Sequence, residues 1–331
     1  MVQSHVNRIV VAVPTFNSRR WLDACMPPLV GAQSPTVVLQ VIDNGSTDGT
    51  PEEIACRWPD VHVKRIAANV GFGAAVNIGA SLWPRHDVLA LNVDTIPSKH
   101  AIAILARALS STPRVAVAAP RLVNADGSLQ RSSYRFPTIR RWCYVAVGLD
   151  RLSRQRGTVP EEERRPALVD WAAGAALLVR REAWDEIGGF DPAYRFFVEE
   201  VDLQRRLADA GWLVVLEPRA AIVHFGGAHP IPPRRFALSH DGWERYFGVR
   251  GGRGAQIRAR SALVLLAFTR CLAWAIIAMT RPRSRATALR WTRMFAGTAT
   301  ISLVRLAGAA RRHHQPYIPQ RHHELPIDHR G

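Results

Sequence analysis

Short, β-branched apolar runs alternate with longer stretches of helical periodicity from Ile9 to about Trp184. The runs Ile9–Val13, Val37–Ile42, Val61–Ile66, Val88–Leu91, Val115–Ala119 and Ala175–Val179 read as strands. Segments near Arg20–Val30, Thr50–Arg57, Gly73–Leu82 and Ala101–Leu109 read as the helices between them. Continuous apolar strands alternating with helices predict βαβ units, hence an α/β fold with a mostly parallel central sheet and helices on both faces. In such sheets ligands sit at the carboxyl ends of the strands. The charged segment Arg151–Pro166 interrupts the pattern as a surface loop. A helix near Val201–Ala210 and strands at Leu213–Leu216 and Ala221–Phe225, separated by Pro218, then resume it.

The texture changes at HPIPPRR from His229, and again at GGRG after Arg250. Beyond lie two apolar, Arg-punctuated stretches, Ser261–Thr280 and Ala288–Ala310, and a polar tail. Three regions are therefore expected: an α/β domain over 1–230, a basic helical region over 231–310 and a polar tail over 311–331. Charge sharpens that division. The 331 residues carry a formal +17, but residues 231–331, with eighteen Arg, no Lys and four acids, hold +14 of it. A nearly balanced domain thus precedes a cationic third, and either nucleic acid or an anionic membrane could draw such a region.

The lipid surface is the better match. Ser261–Thr280 has the length of a span with Arg270 at its centre, so a true span, an interfacial amphipathic helix and a core helix are all compatible with it. Trp274, Trp291 and the flanking arginines suit a headgroup boundary. No helix-turn-helix, zinc spacing or RNA-binding aromatic signature is present, so no nucleic-acid partner is expected. The expected contact is an anionic membrane surface through residues 255–312. Four dispersed cysteines and an N-terminal apolar run too short for a signal peptide suit a cytoplasmic protein, peripheral at the inner face of the membrane.

Candidate chemistry gathers just past the apolar runs. Strand one ends in VPTFN, strand two in VIDNGSTDGT and strand four in LALNVDT, so polar and acidic side chains stand where a parallel sheet presents them to a ligand. With NVGFGAAVNIGA (Asn69–Ala80), WAAGAALLVRREAWDEIGGFD (Trp171–Asp191) and FFVEEVDLQRRLADAGW (Phe196–Trp212), these segments in this order resemble the family 2 inverting glycosyltransferases, which have the nucleotide-sugar-binding GT-A fold. VDWAAGAALLVRR, GGFD and VVLEPRAAIVHFGG are closest to bacterial cell-envelope enzymes of the rhamnosyltransferase type.

The resemblance implies a nucleoside diphosphate sugar as donor, rhamnose carried on dTDP in the closest group, and a hydroxyl of a glycan or polyprenyl-linked intermediate as acceptor. It places Asp43 on the donor's pyrimidine, with Pro14 and Thr15 beside it. Asn69, Gly71, Phe72 and Asn77 fall at the donor-side helix start, and Trp171, Gly174 and Ala175 along the sugar pocket. Trp171 could equally be a core residue. Asp94 matches the last acid of the DxD motif that holds Mg²⁺ or Mn²⁺ against the diphosphate, with Asn92 replacing the first acid. His224 is either a second group near that metal or a structural histidine. Glu200 matches the catalytic base, normally Asp, so Glu199 stays open as the alternative. Asp202 is expected to pair with Arg205 or Arg206 along the helix. A non-catalytic membrane scaffold on a degenerate GT-A domain is the competing expectation. A sugar nucleotidyltransferase is disfavoured, because no Gly-rich, Arg- and Lys-containing phosphate loop follows the first strand.

Overall fold

The computed structural model describes residues 8–146, 165–195, 197–226, 233–281 and 285–308. The expected loop at Arg151–Pro166, apart from its last two residues, and the tail at 311–331 lie outside the described residues.

The first four long strands, β1 (Ile9–Thr15), β2 (Val37–Asp43), β3 (His62–Arg65) and β4 (Asp87–Leu91), form the parallel block β3-β2-β1-β4. The sheet continues through β11 (Ala176–Val179), β6 (Val115–Val123), β12 (Leu213–His224) and β5 (Thr95–Pro97). On this path only β11 and β5 run against the other six, so the mostly parallel sheet is as expected. Short strands β7 (Leu129–Gln130) and β9 (Ala167–Val169) join β6 and β12, and β8 (Ser133–Tyr134) pairs with β10 (Trp171–Ala172) in a separate ribbon.

Alternation along each strand supplies two cores. Ile9, Val11 and Val13 face one side, with Leu22, Met26 and Leu29 of α1 (Leu22–Val30), Ile54 of α2 (Thr50–Arg57) and Leu105 and Leu109 of α4 (Ala101–Ser110). Val10 and Ala12 face the other, with Val76 of α3 (Phe72–Ser81), Trp184 of α6 (Arg181–Ile187) and Leu203 and Leu207 of α7 (Glu199–Asp209). Each fully buried aliphatic side chain contributes about 1.5–3 kcal/mol. The result is a rigid sheet whose carboxyl edge can hold polar groups at fixed positions.

Two sequence expectations change. The strands expected at Leu213–Leu216 and Ala221–Phe225 are one strand, β12, whose register shifts between Glu217 and Ala221. Pro218 sits in that bulge, where its missing N–H breaks no ladder bond. The helix expected from Val201 starts two residues earlier, placing Glu199 and Glu200 in its first turn.

Helix α5 (Ile139–Ala146), not anticipated from the sequence, packs against α8 (Pro233–Thr280). Gly252, at φ 66° and ψ −168°, divides α8 into two limbs, residues 233–251 and 253–280. The limbs run back along each other: Arg260 Nε lies 2.7 Å from Glu244 Oε2, sixteen residues away, a separation of ~24 Å in a straight helix. The first limb packs Tyr246 and Phe247 against Tyr194, Val198 and Val201 of the α/β domain. The second limb pairs with α9 (Arg285–Gly308) through Ala267, Cys271, Trp274, Trp291, Met294 and Phe295. Leu265, Phe268, Leu272, Ile276 and Met279 recur at helical spacing and stay exposed, Met279 by 75%. Exposed Arg281 follows the end of this limb, and Arg285, Arg290 and Arg293 are exposed on α9.

Candidate active site

Strand ends bring the donor-side residues together. Asp43, 1% exposed at the end of β2, accepts from Thr15 Oγ1 at 3.3 Å and from the Ser46 N–H at 3.2 Å. Its neighbour Asn44 accepts from the Val70 N–H at 2.8 Å and donates to Gly71 O at 3.3 Å, tying this turn to the start of α3. Asn69 Oδ1 accepts from the Gly71 N–H at 3.0 Å. Gly71 has φ 94°, and a Cβ there would lie 2.7 Å from Arg195 O, so only glycine fits. Pro14 flanks Thr15 at the end of β1.

Phe72 and Asn77 are drawn into the framework instead. Phe72 meets Phe190 edge-on at 6.0 Å. Asn77 donates to Phe190 O at 2.8 Å and accepts from the Phe190 N–H at 3.0 Å, which occupies both ends of its amide.

A second group stands past β4 and β12. His224 Nε2 lies 3.7 Å from Asp94 Oδ1 and 3.4 Å from Asn92 Nδ2. Gln130, which sequence reasoning did not single out, fixes the imidazole. Its Nε2 donates to Gly226 O at 2.9 Å and to Asn124 Oδ1 at 3.1 Å, so its Oε1 faces His224 Nδ1 at 2.7 Å. Nδ1 therefore carries the hydrogen and Nε2 presents a lone pair toward Asp94. Burial lowers the imidazole pKa and the Asp94 charge only partly opposes it, so the ring is neutral, as a metal ligand must be.

A Cβ at residue 226 would fall 2.4 Å from His224 Nε2 and 3.0 Å from Asp94 Oδ2, so Gly226 leaves the space between them open. Among the described residues no three His, Cys, Asp or Glu side chains form a metal-holding group. The Asp94–His224 pair thus suits a hard cation that completes its shell with phosphate oxygens and water.

The third group is the first turn of α7. Phe197 and Val198 hold φ of 64° and 73°, a left-handed pair that is costly for a β-branched residue, and Glu199 and Glu200 follow directly. Glu199 is buried, and its Oε2 has no hydrogen-bond partner. Desolvation, then the adjacent Glu200 charge, push its pKa up to about 8. Burial also raises Glu200, against the helix-start N–H groups that pull it down, and the residue as a whole is only partly buried.

Gly174 leaves room for the longer side chain, since a Cβ there would sit 3.1 Å from Glu200 Cβ. Ala175 O accepts from the Asn92 N–H at 2.9 Å, so the Gly174–Ala175 backbone joins the Glu200 side to the Asp94 side. Trp171 stacks on Tyr134 at 4.4 Å and donates its indole N–H to Arg135 O at 3.0 Å. Asp202 pairs with Arg206 at 2.7 Å, whereas Arg205 takes Asp209.

Comparisons with known proteins identify the family and the fold. Residues 10–185 match the family Glycosyl transferase family 2. The chain belongs to glycosyl transferase family 2. The N-acetylglucosaminyl-diphospho-decaprenol L-rhamnosyltransferase of Mycobacterium tuberculosis is 35% identical over 234 residues, covering 65% of this chain and 75% of the relative. The polyprenol monophosphomannose synthase of Mycolicibacterium smegmatis is 29% identical over 220 residues, covering 64% and 76%. The fold is similar to that of a mannosyltransferase from Pyrobaculum calidifontis solved with GDP-Man and Mn²⁺, at TM-score 0.52 and 16% identity, over 91% of this chain and 87% of that one. Family membership and GT-A architecture are thereby shown, and the chain is a glycosyltransferase.

The buried acid of this family 2 site yields a pH signature. Glu199 binds its proton more tightly folded than unfolded, so its stabilising contribution is full below about pH 4.5 and is lost as pH rises toward about 8. Thermal unfolding of wild type and Glu199→Gln across that range should show the variant gaining on wild type as pH rises, by on the order of 1–4 kcal/mol. A difference that does not change with pH would contradict this.

Proposed function

We propose that this glycosyltransferase moves rhamnose from dTDP-rhamnose to a hydroxyl of a lipid-linked N-acetylglucosaminyl diphosphate, with inversion and with help from Mg²⁺ or Mn²⁺, at an anionic membrane surface. The observation that carries the reading is the convergence of Asp43, the Asp94–His224 pair and Glu200 on one edge of the sheet. The 35% identical rhamnosyltransferase supports the sugar and the lipid-linked acceptor.

Asp43, with Pro14 and Thr15, receives the pyrimidine through the carboxylate's remaining acceptor capacity. Asn69 and Gly71 form the backbone wall at the start of α3. Asp94 and His224 would hold the divalent cation, with Asn92 beside them, and the cation would supply charge neutralisation for the departing diphosphate.

Glu200 is the base in this reading because the residue is only partly buried, whereas Glu199 is buried. It accepts the acceptor's hydroxyl proton while that oxygen attacks the anomeric carbon. The bond from that carbon to the diphosphate oxygen breaks on the opposite face, and the diphosphate leaves with the electron pair. Neutral Glu199 keeps the pair at a single negative charge and so lets Glu200 ionise. Gly174 and Ala175 shape the wall between base and cation. Trp171 closes the acceptor side on its stack with Tyr134.

The lipid contact falls to the second limb of α8 and to α9, within residues 255–312. Of the helices among the described residues, α8 alone holds a window apolar enough to cross a bilayer. Its exposed apolar stripe, with exposed arginines at the end of the limb and on α9, suits a helix lying in the headgroup layer better than one passing through. In this reading the enzyme works peripherally at the cytoplasmic face, where the catalytic edge would meet a polyprenyl-linked acceptor.

In a titration with dTDP and UDP, with and without Mn²⁺, Glu200→Gln should bind nucleotide as wild type does and lose transfer by about 10²–10⁴-fold. Wild-type transfer by that variant would remove Glu200 from the base role. In a sedimentation assay with anionic liposomes, Phe268→Asp/Leu272→Asp should stay in the supernatant while retaining nucleotide affinity. Undiminished pelleting would exclude the stripe as the lipid contact.

A further inference from the structure

The first limb of α8 is wired into the turn that carries the two glutamates. A Cβ on Gly242 would lie 2.9 Å from Val198 Cγ2 and 3.0 Å from Phe197 O, so this helix backbone presses directly on the left-handed pair. One turn further along, Tyr246 is buried against the same turn. Arg250 then reaches across to α7, where its Nη2 lies 3.1 Å from Asp202 Oδ1. The guanidinium is itself held, donating through Nη1 to Tyr246 O at 3.1 Å and lying 4.1 Å over the Tyr246 ring.

Asp202 is the hub. Its side chain is 4% exposed and is met by Arg206 Nε at 2.7 Å, by Arg250 and by the Tyr194 hydroxyl at 3.2 Å. A buried carboxylate removed from water needs such partners, and the loss of one leaves an expensive uncompensated charge. Arg206, on α7 itself, donates to Ile187 O and Gly189 O at 2.8 Å each and so ties that helix to the end of α6. Arg250 is the cation that ties it to α8. Asp202 lies three residues after Glu199 and two after Glu200, so an external tether on Asp202 fixes the rotation of the first turn about the helix axis. A second tether, Arg245 to Asp191 at 2.7 Å, holds the same limb against the segment that leads into the turn.

We propose that Arg250 is a positioning residue for glycosyl transfer: through Asp202 it sets the rotation of α7, and hence the direction of the Glu200 carboxylate. The cationic C-terminal third is then part of the active site as well as its connection to the membrane. The inference rests on the reading of Glu200 as base, and the experiment separates the two.

The full chain is assayed for transfer, with nucleotide Kd measured alongside, as Arg250→Met, Glu200→Gln and the double variant. Displacement of a reacting group by about 1 Å costs ~10²-fold, so R250M should lower kcat by about that factor with donor KM and nucleotide Kd unchanged. In the E200Q background R250M should cost nothing more, because it acts only through Glu200. Arg107→Met, an exposed arginine on α4, should transfer at the wild-type rate. If R250M does not fold, Arg250→Lys keeps a cation for Asp202 without the planar fork and carries the same cycle with a smaller loss. Wild-type kcat in R250M, or a loss that multiplies with that of E200Q, would overturn the positioning role. Wild-type transfer by E200Q would instead overturn the base reading on which it depends.

Discussion

Two carboxylates in succession at the start of a helix, with little water to solvate them, constrain everything around them. Side by side in a low-dielectric wall they cannot both ionise at neutral pH, so the surroundings must decide which one carries the charge. Here the decision is made by exposure. Glu199 is buried with an unpartnered oxygen, while Glu200 is only partly buried and packs against Gly174. Holding that choice requires a backbone that turns sharply into the helix, and Phe197 and Val198 supply it with φ of 64° and 73°. Such strain persists only where packing over-determines it, and the first limb of α8, Tyr194 and the Asp202 ion pairs do so from three directions.

The opposite wall uses a different economy of charge. Asn92 stands where the family places a second metal acid, and the structure brings a neutral imidazole from β12 beside Asp94. The amide of Gln130 sets which imidazole nitrogen faces the carboxylate. In the proposed reaction, fewer fixed negative charges would make cation binding depend on the substrate's own phosphates, which suits a diphosphate leaving group.

Much of this was legible along the chain because parallel strands are uninterrupted apolar runs and their ends are marked by the first polar residues. The strand-end positions of Asp43, Asp94 and His224 were read that way, and so was the sheet. Features set by contacts between distant segments were not. Gln130 lies on a two-residue strand with no periodic signal. The motif alone suggested donor contact for Asn77, but its amide closes on Phe190, 113 residues away. Pro218 suggested a strand break where the chain makes a bulge. GGRG was visible as a change of texture, yet only the positive φ of Gly252 shows that α8 reverses there and returns along its own first limb. The expected division at 230 follows the charge, and Arg245 and Arg250 reach back across it with ion pairs to Asp191 and Asp202.

The division of labour between the two glutamates is the centre of this account, and infrared difference spectroscopy on protein with isotope-labelled glutamate reads it directly. At neutral pH wild type should show the carbonyl band of one protonated, buried glutamic acid, absent from Glu199→Gln and retained in Glu200→Gln. If wild type shows no such band, or if Glu200→Gln rather than Glu199→Gln abolishes it, the assignment of the neutral and the ionised carboxyl is wrong.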